Sequence, residues 1–578
     1  MQQRLDLFNI SSEHFVGYVN KVDSYRVNVS SSNDDQLRKV NVNGYVIMNT
    51  SDPNTRLVGR IDRVIRLEYD RDETTSTDDS GVNNDITINA LGTLKGPRSG
   101  KESPSFTRSV ENLPEIGADC FLLYGEYLTL FTGLIADETA KSKTPLSLGT
   151  YTMAANAHAL LDGNAFFQRH AMVVGSTGSG KSWTVARIIE QVAGLNDSNM
   201  IVFDLHGEYE PLAAHPNITR YRIAGPGDLE NPNEDVLFLP YWLLGYEDML
   251  ALILDRSDEN APNQSMAFSN AVISAKKTVL ENEGMVKELD TFTIDSPVPY
   301  SLDDVVNAIT ELNEQKVQGK TGPVNGPFNG KFNRFLPRLQ SKRSDRRHGF
   351  LFALKQEQLA VNYLDYLVEK LMKANDDRTP GVKIIDFSEV PSDILPIVLS
   401  LVARLVFQVQ QWSASSLRHP IALVCDEAHL YLPNRMAADA AEARALAHFE
   451  RIAKEGRKYG VSLLIISQRP SELNTTVMSQ CNNVVALRLS NQADKSAVAN
   501  LLPENLGGIQ DQLPTLGVGE AIVVGDSCLL PSRIKIQKPE YQPNSGSVKF
   551  WDEWSKAAKQ QNLALAVQNL RRQNSGQE

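Results

Sequence analysis

The fold of this chain is decided by the stretch Gly175-Ser176-Thr177-Gly178-Ser179-Gly180-Lys181-Ser182. It matches the phosphate-binding pattern G-x-x-x-x-G-K-[ST] at every fixed position. The apolar run at 171–174 predicts a short strand before it, and residues 183–190 have helical periodicity after it. A strand, a glycine-rich loop and a helix are the context in which this motif binds phosphate, so a chance glycine-rich turn is the weaker interpretation.

We expect this loop to bind ATP with Mg²⁺. Backbone N–H groups of the loop and the helix N-terminus present positive charge to phosphates. Lys181 is placed to reach the β- and γ-phosphates, and the Ser182 hydroxyl is placed to hold Mg²⁺. The residues predicted to contact the nucleotide are Gly175, Ser176, Thr177, Gly178, Ser179, Gly180, Lys181, Ser182 and Trp183.

Composition limits the other possibilities. A chain of 578 residues is too long for one core, so two to four domains are expected. The net charge of −12 means that any contact with nucleic acid is local, in a pore lining or a loop. Four cysteines without CxxC spacing argue against structural zinc. Without a signal peptide or a run of about eighteen apolar residues, we expect a cytoplasmic protein with no membrane span.

The N-terminal part is predicted to be a small β-barrel. Segments 15–19, 40–48, 57–69 and 121–131 carry β-branched and aromatic residues between turn signals. A polar stretch from about 72 to 108 is interpreted as two flexible loops around one strand at 86–91. Residues 136–170 are interpreted as a link to the nucleotide domain.

The rest of the chain alternates strands and helices, which predicts an α/β domain with a parallel sheet. Strands are predicted at 200–203, 384–387, 421–426, 461–467 and 483–489, and helices at 394–411 and 437–458. Residues 245–315 and 354–375 have helical spacing, which indicates a helical insertion, and an amphipathic helix is expected at 548–571. The predicted division is 1–136, 137–244, 245–380, 381–537 and 538–578.

Three strand ends carry candidate catalytic residues. The strand at 421–425 is followed by Asp426 and Glu427, which are predicted to support Mg²⁺ and to polarise the attacking water. A solvated strand end is the alternative. Gln468 follows the next strand and is placed to sense the γ-phosphate or orient water; a glutamine in an ordinary turn is the alternative. The third strand end carries Asp204, His206 and Glu208, for which supporting the ATP site is favoured over binding a metal.

Phosphoryl transfer often uses an arginine finger. The candidates are Arg169, Arg451, Arg457 and Arg469. Arg169 precedes the P-loop strand, so it is expected at the sheet edge away from its own γ-phosphate and nearer to that of a neighbour. This position requires an oligomer, and an ordinary surface ion pair is the alternative.

A basic stretch is the best phosphate-facing patch in this acidic chain. Its members, the candidate contacts to DNA, are Lys331, Arg334, Arg338, Lys342, Arg343, Arg346 and Arg347, with Phe332 and Phe335 between them. A solvated helix face that braces the ATPase core is an equal alternative.

Taken together, the motifs resemble those of HerA, a hexameric DNA-translocating ATPase of the HerA/FtsK branch of RecA-like P-loop proteins. They are the P-loop, Asp-x-His-Gly-Glu-Tyr at 204–209, Asp-Glu-Ala-His at 426–429, Glu-Gly-Arg-Lys-Tyr-Gly at 455–460 and Ser-Gln-Arg-Pro at 467–470. The resemblance implies a RecA-like core, an N-terminal HAS-barrel, a helical bundle and a C-terminal brace that lies on a neighbouring subunit. It also implies ATP bound between subunits of a ring, with double-stranded DNA in the central channel.

By the same resemblance, Lys181 and Ser182 bind phosphate and Mg²⁺, Asp426 supports Mg²⁺, Glu427 activates water and Gln468 senses the nucleotide. Arg169 lies where the family carries a trans-acting arginine, and Arg451 or Arg457 is the candidate sensor arginine.

HerA-like proteins work with a partner, which is a nuclease in DNA repair and a sirtuin-like NADase or a nuclease-type effector in anti-phage systems. The polar loops at 72–85 and 95–108 depart from a compact barrel and are candidates for partner contact. A DNA-translocating motor and an effector-activating scaffold therefore both remain open. Glu427 beside Asp426 argues against nucleotide binding without hydrolysis, and no nuclease constellation is present in the sequence, so we do not expect this chain to cut DNA.

Overall fold

The computed structural model describes residues 5–31, 34–66, 84–97, 104–140, 144–320, 322–376, 379–434, 440–502, 508, 510–546, 548–556 and 563–572. The strands are β1 (Phe15–Val22), β2 (Arg26–Ser31), β3 (Tyr45–Asn49), β4 (Thr55–Ile65), β5 (Asn84–Lys95), β6 (Ser105–Thr107), β7 (Asp119–Leu123), β8 (Leu146–Tyr151), β9 (Ala154–Leu161), β10 (Ala171–Val174), β11 (Met200–Asp204), β12 (Ile218–Ile223), β13 (Val236–Leu237), β14 (Lys316–Gly319), β15 (Gly322–Asn325), β16 (Val382–Asp386), β17 (Ile421–Cys425), β18 (Val461–Ser467), β19 (Asn483–Ala486), β20 (Glu520–Gly525) and β21 (Ser532–Ile536).

The α-helices are α1 (Asp34–Leu37), α2 (Gly125–Ala140), α3 (Gly163–Gln168), α4 (Lys181–Ala193), α5 (Tyr246–Ile253), α6 (Ala261–Asn282), α7 (Val286–Leu289), α8 (Leu302–Glu314), α9 (Phe335–Ser344), α10 (Gly349–Phe352), α11 (Tyr363–Met372), α12 (Leu395–Trp412), α13 (Ala440–Tyr459), α14 (Thr475–Ser479), α15 (Gln492–Ala499), α16 (Phe550–Ser555) and α17 (Leu563–Arg572).

The chain divides into two compact units. The first contains Met1–Gln191, Gln468–Ser471 and Cys481–Glu540, and the second contains Val192–Ser467, Glu472–Gln480 and Tyr541–Glu578.

The first unit begins with a closed barrel of six strands, as predicted. Their order is β2-β1-β7-β3-β4-β5, and pairing of β2 with β5 closes the ring, while β6 extends β5. Valine, isoleucine and leucine side chains of alternating strand positions fill its interior. The predicted strand at 86–91 is β5. The two polar loops beside it lie largely outside the described residues, which omit 67–83 and 98–103.

The predicted strand at 121–131 is wrong in its second half. β7 ends at Leu123, and Gly125 follows with φ +58°, a left-handed conformation that stops the strand. From there the buried residues Leu128, Phe131 and Ile135 repeat at the spacing of a helix, and α2 forms. In the sequence, the alternating Leu-Thr-Leu-Phe-Thr residues at 128–132 have the period of a strand, although this segment forms a helix.

The remaining strands of the first unit run in the order β10-β19-β20-β21-β8-β9. β10, the P-loop strand, pairs in parallel with β19, and the later pairs are antiparallel. Residues 136–170, which were predicted to link the barrel to the nucleotide domain, contain the β8–β9 hairpin of this sheet and α3 after it.

The second unit contains the parallel sheet predicted from the alternating strands and helices. Its order is β13-β12-β16-β11-β17-β18, and every pair is parallel. All residues of β11, β16, β17 and β18 are buried, which explains why most of their residues are apolar. The α/β fold class, with its N-terminal barrel and its helices, is confirmed.

The helical insertion is also confirmed, since α5–α8 and α11 occupy the predicted segments. A hairpin of β14 and β15 interrupts it. The single helix expected at 548–571 is wrong, because Lys556 is extended at ψ 157° and ends α16, and α17 begins at Leu563.

Among the helices that the structure describes, α12 alone is long and apolar enough to cross a membrane by length and composition. The protein buries 72% of it, and a core helix passes the same test.

Phe131 anchors α2 to the barrel, and its truncation tests this packing. The side chain is fully buried and its ring lies 6.2 Å from that of Tyr45 and 5.8 Å from that of Phe106. We expect Phe131→Ala to destabilise the first unit by about 3–5 kcal/mol, because a large cavity is left. Leu130→Ala, on the exposed side of the same helix, is the control. Equal melting temperatures for the two variants would contradict this packing.

Candidate active site

The P-loop is held in its conformation by glycines and by neighbouring backbone. Gly178 and Gly180 have φ +74° and +101°, values that favour glycine. A Cβ on Gly175 would lie 2.5 Å from Ser179 Oγ, so no side chain fits there. The Ser179 carbonyl accepts the Gly519 N–H at 2.8 Å. Contacts within the chain therefore define the conformation of the loop.

The phosphate-binding side chains begin the next helix. Lys181 and Ser182 occupy the first turn of α4, where N–H groups lack intrahelical partners, and Lys181 is buried. This donor set of backbone N–H groups and an ammonium fits a polyphosphate. Trp183 lies under the ammonium of Lys538, 5.4 Å from its ring centre.

Gln468 contacts the P-loop directly. Its Oε1 accepts a hydrogen bond of 2.8 Å from the Thr177 hydroxyl. A second hydroxyl of the loop, Ser176 Oγ, donates to the Arg488 carbonyl at 2.8 Å. This hydrogen bond favours a role at the nucleotide over that of an ordinary turn residue, because the Gln468 side chain contacts the P-loop.

Asp426 and Glu427 follow β17 in the second unit, and both are buried. Glu427 has φ +42°, which costs a non-glycine residue about 1–2 kcal/mol. The Asp426 carboxylate accepts the Glu427 N–H at 3.0 Å and holds this backbone. Such strain at an acidic strand end is typical of a functional site and not of a solvated terminus.

His429, the last residue of the Asp-Glu-Ala-His motif, was given no role from sequence. Its Nδ1 lies 3.4 Å from Glu427 Oε2 and 3.4 Å from Ser467 Oγ. It therefore links the end of β17 to the end of β18, and Ser467 directly precedes Gln468. In the sequence, polar residues follow both β17 and β18, and this shared position could have predicted that they lie close together.

Two buried tyrosines accompany the acidic pair. Within the described residues, the Tyr209 hydroxyl has no hydrogen-bond partner, and the Tyr431 side chain interacts with that of Cys425. Burial raises the pKa of Tyr209 well above its usual range, and the negative charge of Asp426 raises it further. The Asp426 carboxylate is an oxygen donor of the kind that Mg²⁺ or its waters prefer. Among the described residues, no group of three or more His, Cys, Asp or Glu side chains that could hold a metal ion is found.

Asp204 builds the turn that carries Tyr209. Its Oδ1 accepts N–H groups of Glu208 at 3.0 Å and His206 at 3.4 Å, and its Oδ2 accepts the Tyr209 N–H at 3.0 Å. The pKa of Asp204 is raised to about 6. Burial is the main cause and the Asp386 carboxylate adds to it, while the hydrogen bonds from the three N–H groups oppose the rise. The Asp204 carboxylate thus stabilises the backbone of the turn that follows it.

Its two predicted companions are placed differently. The His206 side chain is exposed, and the carbonyl of the half-buried Glu208 accepts the Asn544 N–H at 2.7 Å. This hydrogen bond fixes the C-terminal segment to the second unit.

The candidate arginines differ in their surroundings. Arg169 follows α3 at the amino end of β10, opposite the end that carries the P-loop, and pairs with Asp526 at 2.7 Å. Arg451 contacts Glu455 at 3.5 Å and the Gln411 amide at 3.3 Å. Arg457 is exposed on α13 and has no ion pair within the described residues.

Carboxylates neutralise much of the basic stretch. The pairs are Lys342–Asp393 at 2.9 Å, Arg343–Asp303 at 2.5 Å, Arg346–Glu230 at 3.7 Å and Arg347–Asp345 at 2.7 Å. Phe332 and Phe335 are buried and cannot stack on bases. Lys331 lies over the Phe328 ring, while Arg334 and Arg338 are exposed. These contacts favour the bracing interpretation for Lys342 and Arg343.

Comparison with known proteins agrees with this chemistry. Residues 146–406 match the family model described as the central domain of helicase HerA. The chain is 27% identical over 418 residues to a probable helicase of Methanocaldococcus jannaschii, covering 71% of this chain and 70% of that one. It is 25% identical over 422 residues to the DNA double-strand break repair helicase HerA of Pyrococcus furiosus, covering 68% and 69%.

Among solved structures, VirB4 of Thermoanaerobacter pseudethanolicus is similar at 16% identity, with 69% of this chain and 98% of that one covered. Its TM-score of 0.46 is too low to support an inference about function.

A phosphate-binding loop on an α/β core defines this protein as a P-loop ATPase. Within that class, the chain is similar to the central domain of helicase HerA over residues 146–406 and to two helicases over about two thirds of its length.

The Thr177–Gln468 hydrogen bond can be tested with a double-mutant cycle. We expect Thr177→Val and Gln468→Ala each to slow ATP hydrolysis. The loss of activity in the double variant should be smaller than the sum of the losses in the two single variants. We expect an interaction energy of about 0.5–1.5 kcal/mol between the two side chains. Gln480→Ala, which alters an exposed glutamine, should be additive with Thr177→Val. Strict additivity in both cycles would contradict a functional contact.

The raised pKa of Asp204 predicts a pH-dependent stability. The native state binds the proton more tightly than the unfolded chain, so the stabilisation is complete below about pH 4 and is lost as pH rises through 6. Relative to Asp204→Asn, the wild-type melting temperature should rise as pH is lowered from about 7.5 to 5, corresponding to at most about 3 kcal/mol. A constant difference between the two proteins across this range would show that Asp204 keeps an ordinary pKa.

Proposed function

We propose that this chain is the ATP-hydrolysing subunit of a ring that translocates along double-stranded DNA. The observation that carries the proposal is a P-loop contacted by Gln468 in a chain similar to the central domain of helicase HerA. Relatives over two thirds of the chain are named as helicases, and four of them are named DNA double-strand break repair helicase HerA. ATP-driven movement along DNA is the activity that these names and this loop have in common.

The residue roles follow from their chemistry. The loop from Gly175 to Trp183, with Lys181, binds the phosphates of ATP. Ser182 and Asp426 hold Mg²⁺, which neutralises phosphate charge when it is bound. Glu427 activates water for attack on the γ-phosphate, and Gln468 reports the state of the nucleotide to the P-loop through Thr177.

The arginines and the domain organisation complete the proposal. Arg169, at the end of β10 away from its own P-loop, is offered as a finger for the ATP of a neighbouring subunit, and Arg451 or Arg457 as a sensor. Such sharing requires an oligomer, which we propose to be a hexamer with DNA in its channel. We retain the division 1–136, 137–244, 245–380, 381–537 and 538–578 as barrel, first core segment, helical insertion, second core segment and brace.

A second candidate function is a hexameric scaffold that uses ATP to assemble and activate an effector, with little translocation. It is favoured by one observation: four of the seven cations predicted to contact DNA already have carboxylate partners. In either case we propose a cytoplasmic protein that works with a nuclease or a sirtuin-like NADase, in DNA end processing or anti-phage defence.

Steady-state ATPase activity with and without double-stranded DNA tests the proposal. Wild type should be stimulated by DNA, and its particle mass should be that of a hexamer. Glu427→Gln should bind ATP but hydrolyse it at least about a hundredfold more slowly, because the general base is lost. Lys181→Ala should lose nucleotide binding, because phosphate charge is left uncompensated.

The outcomes separate the candidates. ATPase activity that ignores DNA but changes when the effector is added would support the scaffold. Normal hydrolysis by Glu427→Gln would remove Glu427 from the catalytic role.

A further inference from the structure

Four arginines from distant parts of the sequence line one cleft of the second unit. Arg346 and Arg347 come from the turn after α9, and Arg571 and Arg572 from the last turn of α17. The cleft is open and has a volume of about 810 Å³. Among the described residues, Asp345 is the one acidic residue in its lining, and Glu230 lies 3.7 Å from Arg346, so four positive charges face two negative charges in a chain with a net charge of −12.

One wall of this arginine cleft is rigid. Asp345 accepts the Arg347 N–H at 3.0 Å and its guanidinium at 2.7 Å, and these bonds lower the pKa of Asp345 to about 2. Arg346 donates to the Pro226 carbonyl at 3.3 Å. A Cβ on Gly349 would lie 2.5 Å from Leu229, so the turn packs tightly against the loop that forms the cleft floor. Both guanidinium groups are nevertheless more than half exposed.

The opposite wall supplies uncompensated charge. Arg571 and Arg572 are exposed, and within the described residues neither has an ion pair. Their position at the C-terminal end of a helix is electrostatically favourable for a cation. Among the described residues that line the cleft, no further acidic side chain balances them, so this lining attracts an anion with several charges.

The lining also indicates the kind of anion. Guanidinium groups bind phosphate oxygens through paired hydrogen bonds. The described lining residues include no aromatic side chain, so they offer no surface on which a base could stack. A phosphate backbone, contacted without readout of sequence, matches this combination of four arginines and no base platform.

We propose that the arginine cleft binds the phosphate backbone of double-stranded DNA. This rests on the proposed DNA-translocating function and deepens it, because it assigns DNA contact to a site that joins the C-terminal helix to the turn after α9. It also separates Arg346 and Arg347 from Lys342 and Arg343, which brace the helical insertion through Asp393 and Asp303.

Salt-dependent DNA binding of the full chain tests the cleft, with a fluorescein-labelled duplex and fluorescence anisotropy. Each phosphate contact contributes about 0.9 to the slope of log affinity against log salt concentration. We expect Arg571→Gln/Arg572→Gln and Arg346→Gln/Arg347→Gln each to lower the slope by up to about 2. Lys549→Gln/Lys556→Gln, which removes two exposed cations of the same arm outside the cleft, should leave the slope unchanged.

Further measurements make the result decisive. ATPase activity without DNA should be unchanged in Arg571→Gln/Arg572→Gln, which shows that the variant is folded. If wild type binds DNA and both cleft variants match the lysine control, the cleft proposal is overturned and the proposed function stands. If wild type shows no salt-dependent DNA binding, the proposed function itself fails.

A small polyphosphate is the competing ligand. Nucleotide binding that persists in Lys181→Ala, and disappears when Arg571→Gln/Arg572→Gln is added, would overturn the assignment to DNA. We expect no such residual binding.

Discussion

The requirement to hold several phosphate charges with backbone N–H groups shapes the first unit. Those groups point to one place only if glycines adopt left-handed conformations and the surrounding chain prevents the loop from relaxing. Gly178 and Gly180 meet the first condition. Contacts with Arg488, which follows β19, and Gly519, which precedes β20, meet the second. The strands beyond β10 therefore define the conformation of the loop, which limits reorganisation during catalysis.

The acidic strand ends of the second unit form a connected set. Asp204 fixes the turn that places Tyr209, Tyr209 experiences the charge of Asp426, and Asp426 holds the strained backbone of Glu427. His429 then joins Glu427 to Ser467, one residue before Gln468. These contacts connect the acidic end of β17 to the end of β18 within the second unit.

Local patterns predicted much of this architecture. The P-loop with its strand and helix, the buried strands and the helical insertion depend on runs of neighbouring residues, which sequence displays directly. The prediction of a strand through Phe131 was wrong, because the chain changes from strand to helix at Gly125. For the basic stretch, the sequence left DNA contact and bracing as equal alternatives, because the partners Asp303 and Asp393 lie far away in sequence. The arginine cleft could not be predicted from the sequence for the same reason, since 224 positions separate Arg347 from Arg571.

Movement along DNA is the central claim, and displacement of a third strand from a triplex measures it directly. Wild type with ATP should displace the strand, and Glu427→Gln should not, although both bind the duplex. DNA-stimulated hydrolysis by wild type without displacement would contradict translocation and leave the scaffold as the function of the ring.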